Sequence, residues 1–193
     1  MRLDKIYTKI GDSGTTLLAN GEKIGKSEQR IEAYGAIDEL NAFVGLFIDE
    51  LSNNPKNEAI SDLINSAVLI QNELFDVGGE LATPAKALNL DRQRVVGLDE
   101  ISRLELEMDK WTSSLPPLEN FVLPGGWKAN SLAHVCRTVA RRAEREIVRL
   151  AAQDDIRKEC QIYVNRLSDW LFLASRFVSK INGVPEVLWK QKR

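Results

Sequence analysis

Phe121-Val-Leu-Pro-Gly-Gly-Trp-Lys-Ala-Asn-Ser-Leu-Ala-His-Val-Cys-Arg-Thr-Val-Ala-Arg-Arg-Ala-Glu-Arg145 is the stretch on which the reading of this chain turns. It opens as an apolar, strand-like tetrapeptide, turns at Pro124-Gly125-Gly126, and then runs without Gly or Pro through Gln153. Inside the run Leu132, Val135, Cys136, Val139, Ala143, Ile147 and Leu150 recur at three- and four-residue steps, the period of an amphipathic helix. Arg137, Arg141 and Arg145 follow one another at i+4, so they stack along one side of it. Guanidiniums one turn apart repel unless an anion lies across them, and their planar forks suit phosphate oxygens. A solvated basic face partnered by Glu144 and Glu146 is the competing reading.

Outward from this helix, the chain reads as more helices. Ile31, Tyr34, Ile37, Leu40, Phe43, Val44, Phe47, Ile48 and Leu51 predict one over 28–51, with Gly35 marking a close backbone approach. A second, over 58–80, is carried by Ile60, Leu63, Ile64, Ala67, Val68, Gln71, Leu74, Phe75 and Val77. Gly78-Gly79 weakens its end and Pro84 stops it. A third covers 98–112 through Ile101, Leu104, Met108 and Trp111. A fifth starts at an Asp154-Asp155 cap and runs apolar on nearly all sides to Asn182-Gly183. Asn165 and Asp169 share a side of it and need partners, either arginines of a neighbouring element or a ligand.

Residues 1–26 read differently. Tyr7-Thr-Lys-Ile-Gly-Asp-Ser-Gly-Thr-Thr16 disfavours helix and suits an extended arm whose amides, hydroxyls and Lys9 surround phosphate, with Lys26 close behind. It lacks the G-x-x-x-x-G-K-[ST] spacing, so it is no Walker loop. The fold class expected is all-α: a five-helix up-and-down bundle over 28–182 with an extended N-terminal nucleotide-binding arm, no internal strand pair, and one domain over 1–193.

The 193 residues, 44% hydrophobic and 28% charged, fit a single soluble domain. A formal charge of −2 provides no global pull toward nucleic acid or an anionic membrane, so any anion site is local. Cys136 and Cys160 without a repeating pattern suit a reducing compartment. No apolar run spans a bilayer and no targeting segment is recognisable, so the expected location is cytoplasmic.

The segments Tyr7–Thr16, Glu32–Asn41, Phe121–Gly126, Arg141–Arg145 and Tyr163–Asp169, with the closing Gly183–Trp189, resemble in content and order the PduO-type ATP:corrinoid adenosyltransferases. The resemblance implies a homotrimer with active sites between subunits, which moves the 5′-deoxyadenosyl group of ATP to the cobalt of cob(I)alamin and releases triphosphate. It implies ATP and Mg2+ as co-substrate and cofactor, the corrinoid as substrate, and a Co(II) reductase and an adenosylcobalamin-dependent enzyme as partners. Carried over by position, Thr8, Lys9, Ile10, Gly11, Thr16, Lys26, Arg141, Arg142, Ala143, Glu144, Arg145 and Asn165 bind ATP. Glu144 is the candidate protein ligand to Mg2+.

Asp38 and Arg137 correspond to an intersubunit salt bridge, and Phe121 to the aromatic under the corrin's lower face. Gly125, Gly126 and Asp169 complete the corrinoid contacts, and Arg141, Phe121, Asn165, Asp38 and Arg137 form the catalytic set. Ile10 and Trp127 depart from the family pattern: the first leaves only backbone for phosphate, the second narrows or reshapes the mouth of the corrin pocket. His134, the sole histidine, reads either as a cobalt ligand or as a packed, hydrogen-bonded side chain. Two readings compete with the enzyme: an ATP- and corrinoid-binding carrier or sensor, and a structural bundle with solvated arginines.

Overall fold

The computed structural model describes residues 7, 9–53 and 57–191. Its elements, in chain order, are strands β1 (Thr15–Leu17) and β2 (Lys23–Gly25) and five helices. The helices are α1 (Gln29–Ser52), α2 (Glu58–Leu81), α3 (Leu98–Thr112), α4 (Lys128–Ala151) and α5 (Lys158–Ile181). One-turn 3-10 segments at Ile10–Ser13 and Ala85–Ala87 lie before β1 and after α2. β1 and β2 pair antiparallel with Thr16 opposite Ile24, which corrects the expectation of no strand pair. Thr15, Thr16 and Ile24 are β-branched, and the tight turn between the strands allows them to pair.

α4 packs on both α1 and α5, α1 on α2, and α3 on α5, so the arginine helix lies in the middle of the bundle. Its inner face is made of small residues: Ala129, Ala133, Cys136, Ala140 and Ala143 are all fully buried. Tyr163, Trp170 and Leu171 of α5 and Leu40, Val44 and Phe47 of α1 fill the rest of the core. The periodicities hold with local exceptions, since Val68 and Phe75 turn outward at 42% and 71% exposure. α2 continues unbroken through Gly78-Gly79, and nothing comes within 4 Å of the place a Gly35 Cβ would take. Among the described residues no helix is long and apolar enough to cross a membrane.

α5 starts three residues later than the Asp154 cap predicts, with Arg157 at the N-cap. Asp154 instead pairs with the buried Arg30, which also donates to the carbonyl oxygens of Leu81 and Thr83. That arginine gathers the start of α1, the end of α2 and the α4–α5 turn. Beside it Arg157 donates to Glu80 at 3.0 Å and to the Val96 carbonyl at 3.2 Å. Further along the bundle, Glu73 accepts from Tyr163 Oη and from Arg103, each at 2.6 Å, and joins α2 to α3 and α5. Burial still pushes the Glu73 carboxyl above its ordinary range.

Candidate active site

The site is assembled at the loop before α4, along α4 itself, and on the exposed side of α5. The loop is held by the chain's C-terminal segment. Trp189 N–H donates to the Phe121 carbonyl and Leu123 N–H to the Val187 carbonyl, both at 2.8 Å, with Val122 bridged to Leu188. Arg176, 4% exposed, clamps that segment by donating to both oxygens of Glu186 at 2.6 and 3.1 Å. The turn into α4 needs positive φ at Gly125 (134°) and Gly126 (86°), and a Cβ on Gly126 would meet Val184 at 3.3 Å. Asn130 accepts from Gly125 N–H at 3.1 Å and donates to Ser175 O and Ser179 Oγ, which fastens the turn to α5.

The result is a Phe121 ring 77% exposed, supported edge-on by Trp189 at 6.2 Å, on one wall of a cavity of about 580 Å3. Val122, His134, Arg137 and Phe172 form other parts of that wall. Trp127, partly buried, packs against the core and does not line this cavity. A smaller cavity of about 110 Å3 adjoins, lined by Arg137, Arg141, Ser168, Asp169 and Phe172. Arg137 and Phe172 line both.

Along α4, Arg137 is half-buried and Arg141 and Arg145 are exposed. Among the described residues none of the three has a carboxylate within 4 Å; Arg145 donates to the Arg141 carbonyl at 3.1 Å and Arg137 Nε to His134 Nδ1 at 3.3 Å. Burial and then the Arg141 charge push the Arg137 guanidinium below its ordinary value. Arg142 differs: it turns to α1 and pairs with Glu39. Ala143 is a correction to the carried-over ATP contacts, because it faces the core at 0% exposure and offers a ligand no surface. Glu144 is half-buried, and Glu146 is tied by Gln29 Nε2 at 2.9 Å and by Arg149. The hydrogen bond from Gln29 holds the Glu146 carboxyl below the usual carboxylate range.

Asp169 pairs with Arg166 at 3.2 Å, and Arg166 with Glu105 at 2.8 Å, while Asn165 is exposed. Ser168, only 2% exposed, lines the smaller cavity, and its buried hydroxyl has no hydrogen-bond partner among the described residues. Nothing in the helical period had singled it out. His134 is 3% exposed, with one ring nitrogen near Arg137 and the other 3.2 Å from Ser175 Oγ, which matches the packed, hydrogen-bonded reading. Cys136 is fully buried, and burial pushes its thiol up to about 12.

At the N-terminal arm, Lys9 takes a left-handed backbone (φ 62°), which costs a non-glycine residue on the order of 1 kcal/mol or more. A Cβ on Gly11 would lie 2.9 Å from Lys26 Nζ, so the Lys26 ammonium rests over the Gly11 turn, and Lys26 N–H donates to Gly14 O at 2.8 Å. Thr16 stands half-buried on β1. Thr8 and the side chain of Ile10 lie outside the described residues. Among the described residues, none of 9–26 lines either cavity beside the arginine row, and Asp38, exposed on α1, forms no ion pair with Arg137 within the chain. A third cavity, about 440 Å3, lies behind the hairpin between Leu18, Ile24, Arg30 and Leu150 and shares no lining residue with the first two.

The sequence matches the family model described as cobalamin adenosyltransferase over residues 6–178. It is 43% identical over 189 residues to the corrinoid adenosyltransferase of Bacillus subtilis, covering 97% of this chain and 93% of that one. It is 37% identical over 190 residues to the Homo sapiens corrinoid adenosyltransferase, covering 97% of this chain and 74% of that one. In three dimensions it is similar to a variant of the PduO-type ATP:corrinoid adenosyltransferase from Lactobacillus reuteri complexed with cobalamin and ATP. The TM-score is 0.86 at 36% identity, with 97% of this chain and all of that chain (100%) covered.

Proposed function

Since the chain belongs to the cobalamin adenosyltransferase family and uses ATP to adenosylate a corrinoid, we propose how its residues divide that reaction. The corrin ring enters the larger cavity over Phe121, and the triphosphate of ATP lies across Arg141 and Arg145. The observation that carries this is Arg137, which lines both the larger, mainly apolar cavity and the smaller one that Arg141 reaches.

Cobalt(I) of the corrinoid is itself the nucleophile, so no Ser, Cys or Lys nucleophile is needed. It attacks C5′ of ATP, the C5′–O bond breaks, and the electron pair leaves with triphosphate. The protein aligns cobalt with C5′ and stabilises the charge that gathers on the leaving group. Arg141 and Arg145, with Lys9 and Lys26, serve the second task; Phe121, held over its cavity by the C-terminal segment, serves the first. Asn165 and the Gly11 and Thr16 backbone position the nucleotide, Gly125 and Gly126 let the flat ring approach, and Ser168 and Asp169 face its edge.

Because 9–26 and the arginine row line no common cavity in one chain, the complete site joins the arm of one subunit to α4 of another, with Asp38 bonded to Arg137 across the contact. A homotrimer closes that arrangement. Among the described residues no group of three His, Cys, Asp or Glu side chains could cage a metal. Mg2+ carried by the phosphates would find the Glu144 carboxylate as a protein ligand and would supply further neutralisation of the triphosphate. The cytoplasm, as a reducing compartment with ATP, suits the reaction. A Co(II) reductase would feed it and an adenosylcobalamin-dependent enzyme would take its product.

The test is anaerobic: purified protein, MgATP and chemically reduced cob(I)alamin, with Co(I) absorbance and triphosphate followed together. Matched, protein-dependent decay and release are expected, each reduced in Arg141→Ala and Phe121→Ala. ATP binding without either change would favour the carrier.

A further inference from the structure

We propose that His134 is a positioning residue for the transfer: as the neutral Nε2–H tautomer it accepts the Nε–H of Arg137 on Nδ1 and fixes that guanidinium between the two cavities. This rests on the reading above that Arg137 belongs to the site.

Two independent contacts assign the tautomer. A guanidinium can only donate, so the His134 Nδ1 that faces Arg137 Nε at 3.3 Å must carry the lone pair. On the other side the single proton of Ser175 Oγ is directed to the Phe172 carbonyl at 2.7 Å. The Ser175 oxygen, 3.2 Å from Nε2, is therefore the acceptor of an Nε2–H. Ser175 is fully buried, His134 3% exposed, and the Phe172 ring lies edge-on to the imidazole at 6.1 Å; turning the ring over would set carbons against Arg137 and Ser175 and lose both contacts. The order Phe172 O, Ser175, His134, Arg137 thus runs from the α5 backbone to the seam of the cavities.

The choice of an imidazole has a chemical consequence. A carboxylate in this place would orient Arg137 but also neutralise it. A neutral ring orients it by Nε alone and leaves its full charge and both terminal NH2 groups for a substrate or a partner carboxylate. Burial, and then the charge of Arg137, push the His134 pKa down to about 4, so the ring stays an acceptor at neutral pH.

Two amide variants separate this role from simple packing. In His134→Asn the amide oxygen falls near Nδ1 and keeps an acceptor for Arg137; in His134→Gln the amide reaches the Nε2 position and keeps only the Ser175 contact. With the full chain, cob(I)alamin and MgATP, we expect kcat/KM about tenfold lower in His134→Gln and within about threefold of wild type in His134→Asn, at similar Tm. In the Arg137→Ala background His134→Gln should add less than about twofold. Equal losses in both variants, or a full multiplicative loss on top of Arg137→Ala, would overturn the proposal while leaving the site reading intact. Wild-type turnover in Arg137→Ala alone would overturn the site reading and this inference with it. As His134 is the sole histidine, 15N shifts of its ring report the tautomer without any variant of it. A neutral Nε2–H ring whose Nδ1 signal moves in Arg137→Ala is expected, and an Nδ1–H ring would refute the assignment.

Discussion

Arg141 stands exposed on α4 with no carboxylate within 4 Å among the described residues, so its removal takes charge from the site and leaves the core untouched. Arg141→Ala should lower kcat/KM for ATP by about 10²–10³, the effect of losing one donor to a developing anion, with Tm unchanged. Steady-state kinetics and a thermal melt check both halves, and near-normal turnover would remove Arg141 from the triphosphate. His134 makes a pH prediction. Its folded pKa, about 4, lies below the unfolded value of 6.5. The unfolded chain therefore binds the extra proton first, and the stability tied to the neutral ring is complete above pH 6.5 and lost as pH falls toward 4. Glu186 and Arg137 are the charged groups that act on it. Urea titrations between pH 7 and 4 should show the wild type losing up to about 3 kcal/mol more than His134→Asn over this window. Parallel curves would mean that the ring titrates alike in both states.

At the scale of elements, the cavity owes its shape to a strap: the C-terminal segment pairs with 121–123 and Arg176 locks it through Glu186. Gly126→Ala would force a side chain into positive φ and against Val184. It should cost about 1–2 kcal/mol and raise KM for the corrinoid while that for ATP stays near normal. A thermal melt with both KM values checks this, and a rise for both would indicate wider damage. The α2–α5 contact is a different kind of joint, since Tyr163 is fully buried and donates to a buried carboxylate. Tyr163→Phe leaves Glu73 with Arg103 as its remaining donor and should cost about 1–3 kcal/mol in urea unfolding. A loss below about 0.5 kcal/mol would show that Arg103 alone satisfies Glu73.

For the whole molecule, the decisive observation is that, among the described residues, none of 9–26 lines a cavity beside the arginine row. If each site takes its arm from one subunit and its α4 from the next, two inactive variants should repair each other. Co-expression of Lys26→Ala and Arg141→Ala chains in equal amounts joins an intact arm to an intact α4 at about a quarter of the contacts. Activity near that fraction of wild type is expected in the mixed oligomer, against almost none in either variant alone. No recovery in an oligomer shown to contain both chains would place the site inside one subunit.

The bundle itself was legible in the chain, because apolar residues at three- and four-residue steps leave a helix only one face to bury. α3 begins and ends where its periodicity does. The arginine row was legible for the same reason: i+4 spacing puts side chains on one side wherever the helix goes. What the period could not convey is which partner a polar group finds, since that depends on the neighbouring helix. Asp154 looked like a cap but is consumed by Arg30, 124 residues away. Arg142 belongs to the same motif as Arg141 and Arg145, yet Glu39 takes it; Ala143 lies in that motif too and faces the core. The β1–β2 pair escaped notice because three-residue strands carry too short an alternation to register. His134 and Ser175 are 41 residues apart, and only the packing of α4 on α5 brings them together. Sequence determined the elements and their faces, which are local and periodic. Tertiary structure decided the pairings, because a buried polar group must be satisfied by whatever the fold sets beside it.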